Sequence, residues 1–311
     1  MAHSTDMVLD FDHELDFSEI LTNPILDIAA RVWDNDRYSA FQVCYRSMRR
    51  LDDLVDDFKS EGKSGTDKRD AIALAIREFD SGLSLDSLGG SFGNDLLHTL
   101  QRFHIPGWPW HRLSRAMLYD LDHNSFPSFL VFLRYCEGAA IAPASVFMHL
   151  AGLRRGQANA LTLPPYDIRL AARPLALFSY LVHIMRDFEK DQKAGLAYFA
   201  DSIVTACDLR QSDLLQYAGA KSPDSRFRKL VLEYCRLAEH YRAKARQCID
   251  SLKPSIGPRY QLSLELIYDL YLQLFQRITA ADGSLEASEV NPSPDEVAAR
   301  IDQAVADFRP V

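Results

Sequence analysis

Apolar residues recur along this chain at intervals of three and four, the spacing of one face of an α-helix. In the stretch 23–33, NPILDIAARVW, the stripe is Ile25, Ile28, Ala29 and Val32, with Asn23 as cap and Pro24 at the first helical position. The pattern predicts one long helix over 37–58, a polar loop at 59–67, a helix over 68–79, a second Gly-rich loop at 80–93 and a helix from residue 94. Pro106, Gly107 and Pro109 interrupt the chain before a helix at 111–124. Pro127 starts the next, through residue 152, with a kink expected at Pro143. The stretch 164–195 begins with prolines, has an apolar middle and stops at Gly195. Long helices follow at 224–252 and 258–278, then a polar tail and a short helix at 294–308. No segment alternates as a strand would, none repeats, and no composition break marks a boundary. The expectation is one all-α domain over 1–311, with 1–20 and 280–311 peripheral.

Composition narrows the function classes. The 311 residues are 47% hydrophobic and 25% charged, ordinary values for a globular protein. Net charge is −8 with no basic run, which argues against nucleic acid as a partner. The five cysteines are odd in number, scattered, and form no CxxC, which fits a reducing cytoplasm and gives no zinc framework. The acidic start lacks the apolar core of a signal peptide. No stretch approaches the ~18–20 uncharged apolar residues of a spanning helix. Peripheral membrane contact stays open, and PGWPW at 106–110 could reach an interface through Trp108 and Trp110.

The chemistry gathers in two acidic clusters. RRLDDLVDDF, 49–58, puts Asp52 and Asp56 one helical turn apart, with Asp53 and Asp57 repeating the spacing. Like charges so placed weaken an isolated helix by a few tenths of a kcal/mol, so a cation should offset them. A solvated acidic face is the plainer alternative. MRDFEKDQKAG, 185–195, repeats the theme with Asp187 and Asp191, about 130 residues on. Each pair follows an arginine, Arg49 or Arg186. Oxygen-only carboxylate pairs suit Mg²⁺, which takes one or two carboxylates, waters and substrate phosphates. Facing pairs could hold two or three ions around a diphosphate, with guanidinium forks on its oxygens. An allylic C–O bond would then ionise in a dry apolar pocket.

These motifs resemble those of the squalene/phytoene synthases, head-to-head trans-prenyl transferases. The stretch with Tyr45, Arg49, Asp52, Asp53, Asp56 and Asp57 is similar to the family's first motif, and HIMRDFEKD to its second. YCEGAAI keeps the Tyr135 and Cys136 of a helix between them; MLYDLDH, with Asp120, resembles its run-up, and LELIYDLYLQLF, with Tyr268, a late helix. The resemblance spans about 23–280. It implies an isoprenoid-synthase-type helical bundle around a central cavity. Asp52, Asp56, Asp187 and Asp191 would bind metal, and Arg49 and Arg186 diphosphate. Tyr45 and Tyr135 would stabilise or steer the cation, with Tyr268, Ala139 and Ala140 at the substrate, and His183 is counted with the catalytic residues on its place beside Asp187. Coupling of farnesyl or geranylgeranyl diphosphates through a cyclopropyl diphosphate follows from the resemblance, with NADPH needed only by a squalene-forming member. No protein partner is implied.

The chain also departs from the family. The small-residue patch lining the family's tunnel reads AAIAPA here, with Ile141 for a glycine and Pro143 in the helix. His183 stands for an asparagine, Tyr180 for a glutamine, and GLAYFA (195–200) lacks an arginine. His183, one turn before Asp187, could bind a phosphate oxygen, act as a late base or ligate metal; a locally hydrogen-bonded histidine is the alternative. The tyrosines could steady a cation by cation–π attraction or be ordinary core residues. Phe126, Phe129, Phe132 and Phe147 read as core, and Lys190 and Lys193 as solvated lysines. Two other functions are carried alongside: a terpene cyclase using one diphosphate, motivated by AAIAPA, and a non-catalytic helical assembly factor, ranked last because both acidic motifs are present.

Overall fold

The computed structural model describes residues 25–60, 66–156 and 160–311. The expected Asn23–Pro24 cap, the acidic start and most of the 59–67 loop lie outside them.

The chain folds as predicted in class: among the described residues there are helices and one antiparallel pair of two-residue strands. Helix α1 (Ile25–Ala30) leads into α2 (Asn35–Ser60). On α2 the buried residues include Phe41, Cys44, Met48, Leu51, Val55 and Phe58, alternating steps of three and four that make one continuous seam. Helix α3 (Thr66–Ser84) outruns its expected end because Leu83 is buried, and α4 (Gly90–Arg102) starts early, so the loop between them shrinks to 85–89. Gly82 allows the chain to double back there: a Cβ would sit 2.8 Å from the Ser87 carbonyl oxygen.

Helix α5 (Trp108–Asp122) carries Pro109 in its first turn, where a missing N–H costs nothing. Trp110 is fully buried, its Nε1 donating to Ser47 Oγ at 2.8 Å, so the expected membrane reach through Trp110 is corrected: it is a core residue. Helices α6 (Phe129–Ala139) and α7 (Ile141–Gly152) meet at a 42° bend. The break falls at Ala140 rather than at Pro143. Pro143 has no N–H for the Ala139 carbonyl, and its ring crowds that carbonyl one turn upstream.

After the hairpin β1–β2 (Arg154–Arg155 with Leu161–Thr162) comes α8, Ile168–Arg186. It starts where Asp167 Oδ1 accepts from the backbone N–H groups of Arg169 and Leu170, both at 2.9 Å, not at the prolines. It also stops earlier than expected: Asp187 separates it from α9 (Phe188–Lys193), and Gly195, at φ +72°, ends that turn. The Asp191 N–H still bonds to the Asp187 carbonyl at 2.9 Å, so the one-turn spacing survives the break. Short helices α10 (Asp201–Ala206) and α11 (Gln211–Leu214) precede α12 (Ser225–Leu252) and α13 (Pro258–Ala280). Helices α14 (Ala287–Val290) and α15 (Pro294–Asp307) close the chain. Helix α15 lies along α13, tied by Arg300 to Asp269 at 3.2 Å.

Helix α8 is the centre of the bundle, packed on α7, α12 and α13, while α2 packs on α4, α5 and α7. Close approach of α6 to α5 depends on Gly138, where any Cβ would collide with the Arg112 carbonyl and Ala116. By length and hydropathy α8, or α6 and α7 taken together, could cross a membrane. Each is packed against other helices inside the bundle.

Candidate active site

A cavity of about 790 Å³ opens between α2, α6, α7, α8 and α13. Its two ends differ in chemistry. Toward one end stand the apolar side chains of Phe147, Met148, Ala172, Leu175, Leu264 and Ile267. Toward the other stand Arg49, Asp52, Asp56 and Asp57 from α2, and Arg186, Asp187, Lys190 and Asp191 from the end of α8 and from α9. The two acidic clusters thus meet at one cavity, because the polar face of α2 and the C-terminal turn of α8 point the same way while their apolar seams are buried.

Within each cluster an arginine is already engaged. Arg49 donates to Asp52 at 2.7 Å and to Asp53 at 2.6 Å. Arg186 forks onto Asp187 through Nε at 2.6 Å and Nη2 at 2.9 Å. His183 Nδ1 lies 2.9 Å from Arg186 Nη2, and Nε2 lies 3.1 Å from Asp187 Oδ2. A guanidinium can only donate, so Nδ1 is the bare nitrogen and the neutral ring carries its proton on Nε2, on the side of Asp187. Burial and the adjacent Arg186 charge lower His183 to about 4, which keeps this imidazole neutral.

The carboxylates are not equivalent. Burial, then the charge of Asp56, pushes Asp52 up to about 7. Burial, then the charge of Asp187, does the same to Asp191, and Asp56 adds to it from across the cavity. Asp187 is also buried, but its hydrogen bonds from Arg186 outweigh that and hold it low. Among the described residues no group of three His, Cys, Asp or Glu side chains forms a ready-made metal cage. The donor set still fits Mg²⁺. It is oxygen-only and doubly paired, with two acids that burial and a neighbouring carboxylate push toward their protonated form, and Mg²⁺ keeps several waters and phosphate oxygens as ligands. Asp52 and Asp56 on one wall and Asp187 and Asp191 on the other would hold it.

Of the residues singled out from sequence, Tyr45, Arg49, Asp52, Asp56, Tyr135, Ala139, Ala140, His183, Arg186, Asp187 and Asp191 all line the cavity. Tyr268 does not. It is buried, accepts from Arg242 Nη1 at 2.7 Å and packs on Phe178; Tyr271, three residues on, lines the cavity instead. The IYDLY pattern offers two tyrosines three apart, and only packing decides which faces inward. Lys190, read as solvated, lines the cavity, while Lys193 pairs with Glu189 at 2.5 Å. Sequence reasoning missed Lys59 and Tyr198. Lys59 sits one turn beyond Asp56, a spacing that could have revealed it; Tyr198 lies outside any helix and had no periodic signal. Phe126, Phe132 and Phe147 are buried, and Phe147 reaches the cavity as well.

Aromatic rings crowd the polar end. Tyr135 lies 5.0 Å from Phe126 and 6.2 Å from Tyr180 between ring centres, and Tyr198 is 6.5 Å from Tyr180. Tyr180 stacks parallel to His183 at 5.9 Å. Stacked and edge-on rings present both negative faces and hydroxyls to the same space.

The sequence pattern of the squalene/phytoene synthase family matches residues 28–294. Among solved structures, a dehydrosqualene synthase in complex with ligand is 16% identical, with TM-score 0.72 over 93% of this chain and 94% of that one. Squalene synthase HpnC from Alicyclobacillus acidocaldarius is 16% identical, with TM-score 0.61 over 92% and 93%. TcSQS, solved with a ligand, is 14% identical, with TM-score 0.59 over 93% and 84%. No curated protein matches in sequence.

Proposed function

The chain belongs to the squalene/phytoene synthase family, and we propose that it couples two molecules of farnesyl or geranylgeranyl diphosphate head to head in this cavity, with Mg²⁺. The observation that carries the reading is the meeting of the two acidic clusters in the lining of one cavity that also has apolar walls. Its volume falls within the ~300–1,000 Å³ usual for small-molecule sites.

Bound at Asp52, Asp56, Asp187 and Asp191, Mg²⁺ supplies Lewis-acid charge that draws electrons toward a diphosphate leaving group. The chain's own groups do the rest. Arg49 and Arg186 keep outward N–H donors beyond those spent on their aspartates, and these bind diphosphate oxygens. His183, neutral, holds Arg186 and Asp187 in register. Tyr45, Tyr135, Tyr198 and Tyr271 line the space where an allylic cation forms and steady it through their rings. Leu175, Leu264, Ile267 and Phe147 seat the prenyl chains and exclude water that would capture the cation. Ala139 and Ala140, at the α6–α7 bend, leave room beside Tyr135.

The bend supports one alternative. A wall redirected at Ala140 could fold a single prenyl chain on itself, the reading of a class I terpene cyclase. Incubation with farnesyl or geranylgeranyl diphosphate and Mg²⁺, with and without NADPH, followed by mass spectrometry, separates these. A doubled carbon skeleton supports coupling, with NADPH required only for a squalene-type product. A cyclic product of unchanged carbon number supports the cyclase. Absence of any diphosphate release returns the chain to the assembly-factor reading.

A further inference from the structure

Lys59 and Asp120 belong to neither metal-binding pair, yet they sit directly behind the cavity's polar end. Lys59 is in the last turn of α2 and lines the cavity; its side chain is only 10% exposed. Its Nζ lies 3.1 Å from Asp120 Oδ1 and 3.4 Å from the His123 carbonyl oxygen. Asp120, on α5, is 8% exposed, and its other oxygen, Oδ2, accepts the Tyr135 hydroxyl at 2.6 Å. The carboxylate is therefore divided, with one oxygen on an ammonium from α2 and the other on a phenol from α6.

This arrangement dictates what Tyr135 offers the cavity. Tyr135 lines the cavity and Asp120 does not, and the Tyr135 hydroxyl proton is committed to Asp120, so toward any other group this hydroxyl can act only as an acceptor. The direction of the O–H is set by rotation about the Cζ–Oη bond, and the 2.6 Å bond to Asp120 holds it, while Phe126, Tyr119 and Tyr180 pack around the ring. The direction of the bond depends on Asp120 remaining an acceptor. A carboxyl so buried is pushed toward its protonated form, and Lys59 is the foremost group opposing that. A protonated Asp120 could donate to Tyr135 and swing the phenolic proton into the cavity, reversing the polarity met by a developing cation.

We propose that Lys59 is a positioning residue that acts through Asp120 to keep the Tyr135 hydroxyl an acceptor toward the cationic carbon of the prenyl chain. This rests on the prenyl-transfer reading of the cavity. Lys59 acts on the rate of the chemical step and not on capture of the diphosphate.

The test is a double-mutant cycle. Lys59→Met should lower kcat about tenfold, the size of one weakened charge-assisted hydrogen bond, with KM changed less than about twofold. Lys59→Arg should recover most of that loss. On a Tyr135→Phe background, Lys59→Met should cost no more than about twofold further, since its target hydroxyl is gone. Lys59→Met/Asp120→Asn guards against misfolding from an unpaired buried charge and should show the same loss of kcat. A rise in KM alone, or the full loss persisting in Tyr135→Phe, would overturn the proposal. A second readout needs no substrate: with 3-fluorotyrosine placed at position 135, the ¹⁹F resonance should move in Lys59→Met and return in Lys59→Arg. An unmoved resonance overturns the proposal even if turnover falls. A wild-type chain without turnover would overturn the prenyl-transfer reading alone, and the ¹⁹F result would still judge the role of Lys59.

Discussion

His183 places Nε2 3.1 Å from Asp187 Oδ2 while its other nitrogen accepts from Arg186. One imidazole thus orients both the anion-binding and the cation-binding member of the second motif. His183→Ala should leave the fold intact and lower kcat about tenfold, the loss expected when a supporting partner of a metal ligand is removed. Because His183 is held neutral down to about pH 4, the shape of the pH–rate profile between pH 6 and 8 should not change. Loss of a limb in that range would show that the imidazole titrates during turnover.

Asp52→Asn and Asp187→Asn should each reduce diphosphate release by about a hundredfold or more, because each weakens the charge that stabilises the departing anion. Far-UV circular dichroism should be unchanged, since both side chains face the cavity. Normal turnover in either variant would contradict the assignment of these residues to metal.

Asp52 and Asp191 make stability depend on pH in a direction that can be worked out. Their folded values of about 7 lie above the ordinary 3.8. Between these limits the folded state binds more protons than the unfolded one, so stability falls as pH rises from about 4 to about 7 and levels off above. Added Mg²⁺ should therefore raise the Tm of metal-free protein more at pH 8 than at pH 5.5, where protons compete for the same oxygens. The contrast should vanish in Asp52→Asn/Asp191→Asn. An equal rise at both pH values would rule out these carboxylates as the cation's partners.

The two tyrosines of α13 should separate cleanly. Tyr271→Phe should lower kcat with little change in Tm, because Tyr271 faces the cavity near Arg186 and Asp187. Tyr268→Phe should leave kcat unchanged and cost about 1 kcal/mol of stability through the lost bond from Arg242. Kinetics paired with thermal melts of both variants decides it; the opposite pattern would exchange their roles.

Gly138→Ala should destabilise by about 1–3 kcal/mol, since α6 and α5 would have to separate to admit the methyl group. Thermal unfolding read by circular dichroism should show a Tm lower by several degrees, and an unchanged Tm would mean that the helix contact yields without strain.

The sequence by itself determined the helical class, the two acidic motifs and the family, because helical periodicity and one-turn carboxylate spacing are local properties that survive in a single string. Eleven of the twelve site residues it named line the cavity too, since motif positions on one face stay on that face when the helix packs. Only the tertiary structure decided what depends on contacts between helices. The α6–α7 break falls at Ala140, a turn before the proline that causes it, because the crowded carbonyl is one turn upstream. Helix α3 outruns its Gly-rich signal because Leu83 is buried. Tyr271 faces the cavity and Tyr268 the core, although both belong to one pattern. Lys59, Asp120 and Tyr135 come from three separate helices, and their hydrogen bonds span 61 and 15 residues of chain. Periodicity reports which side of a helix is buried, but not which neighbour buries it, so a polar chain assembled across three helices leaves no trace in the spacing of any one.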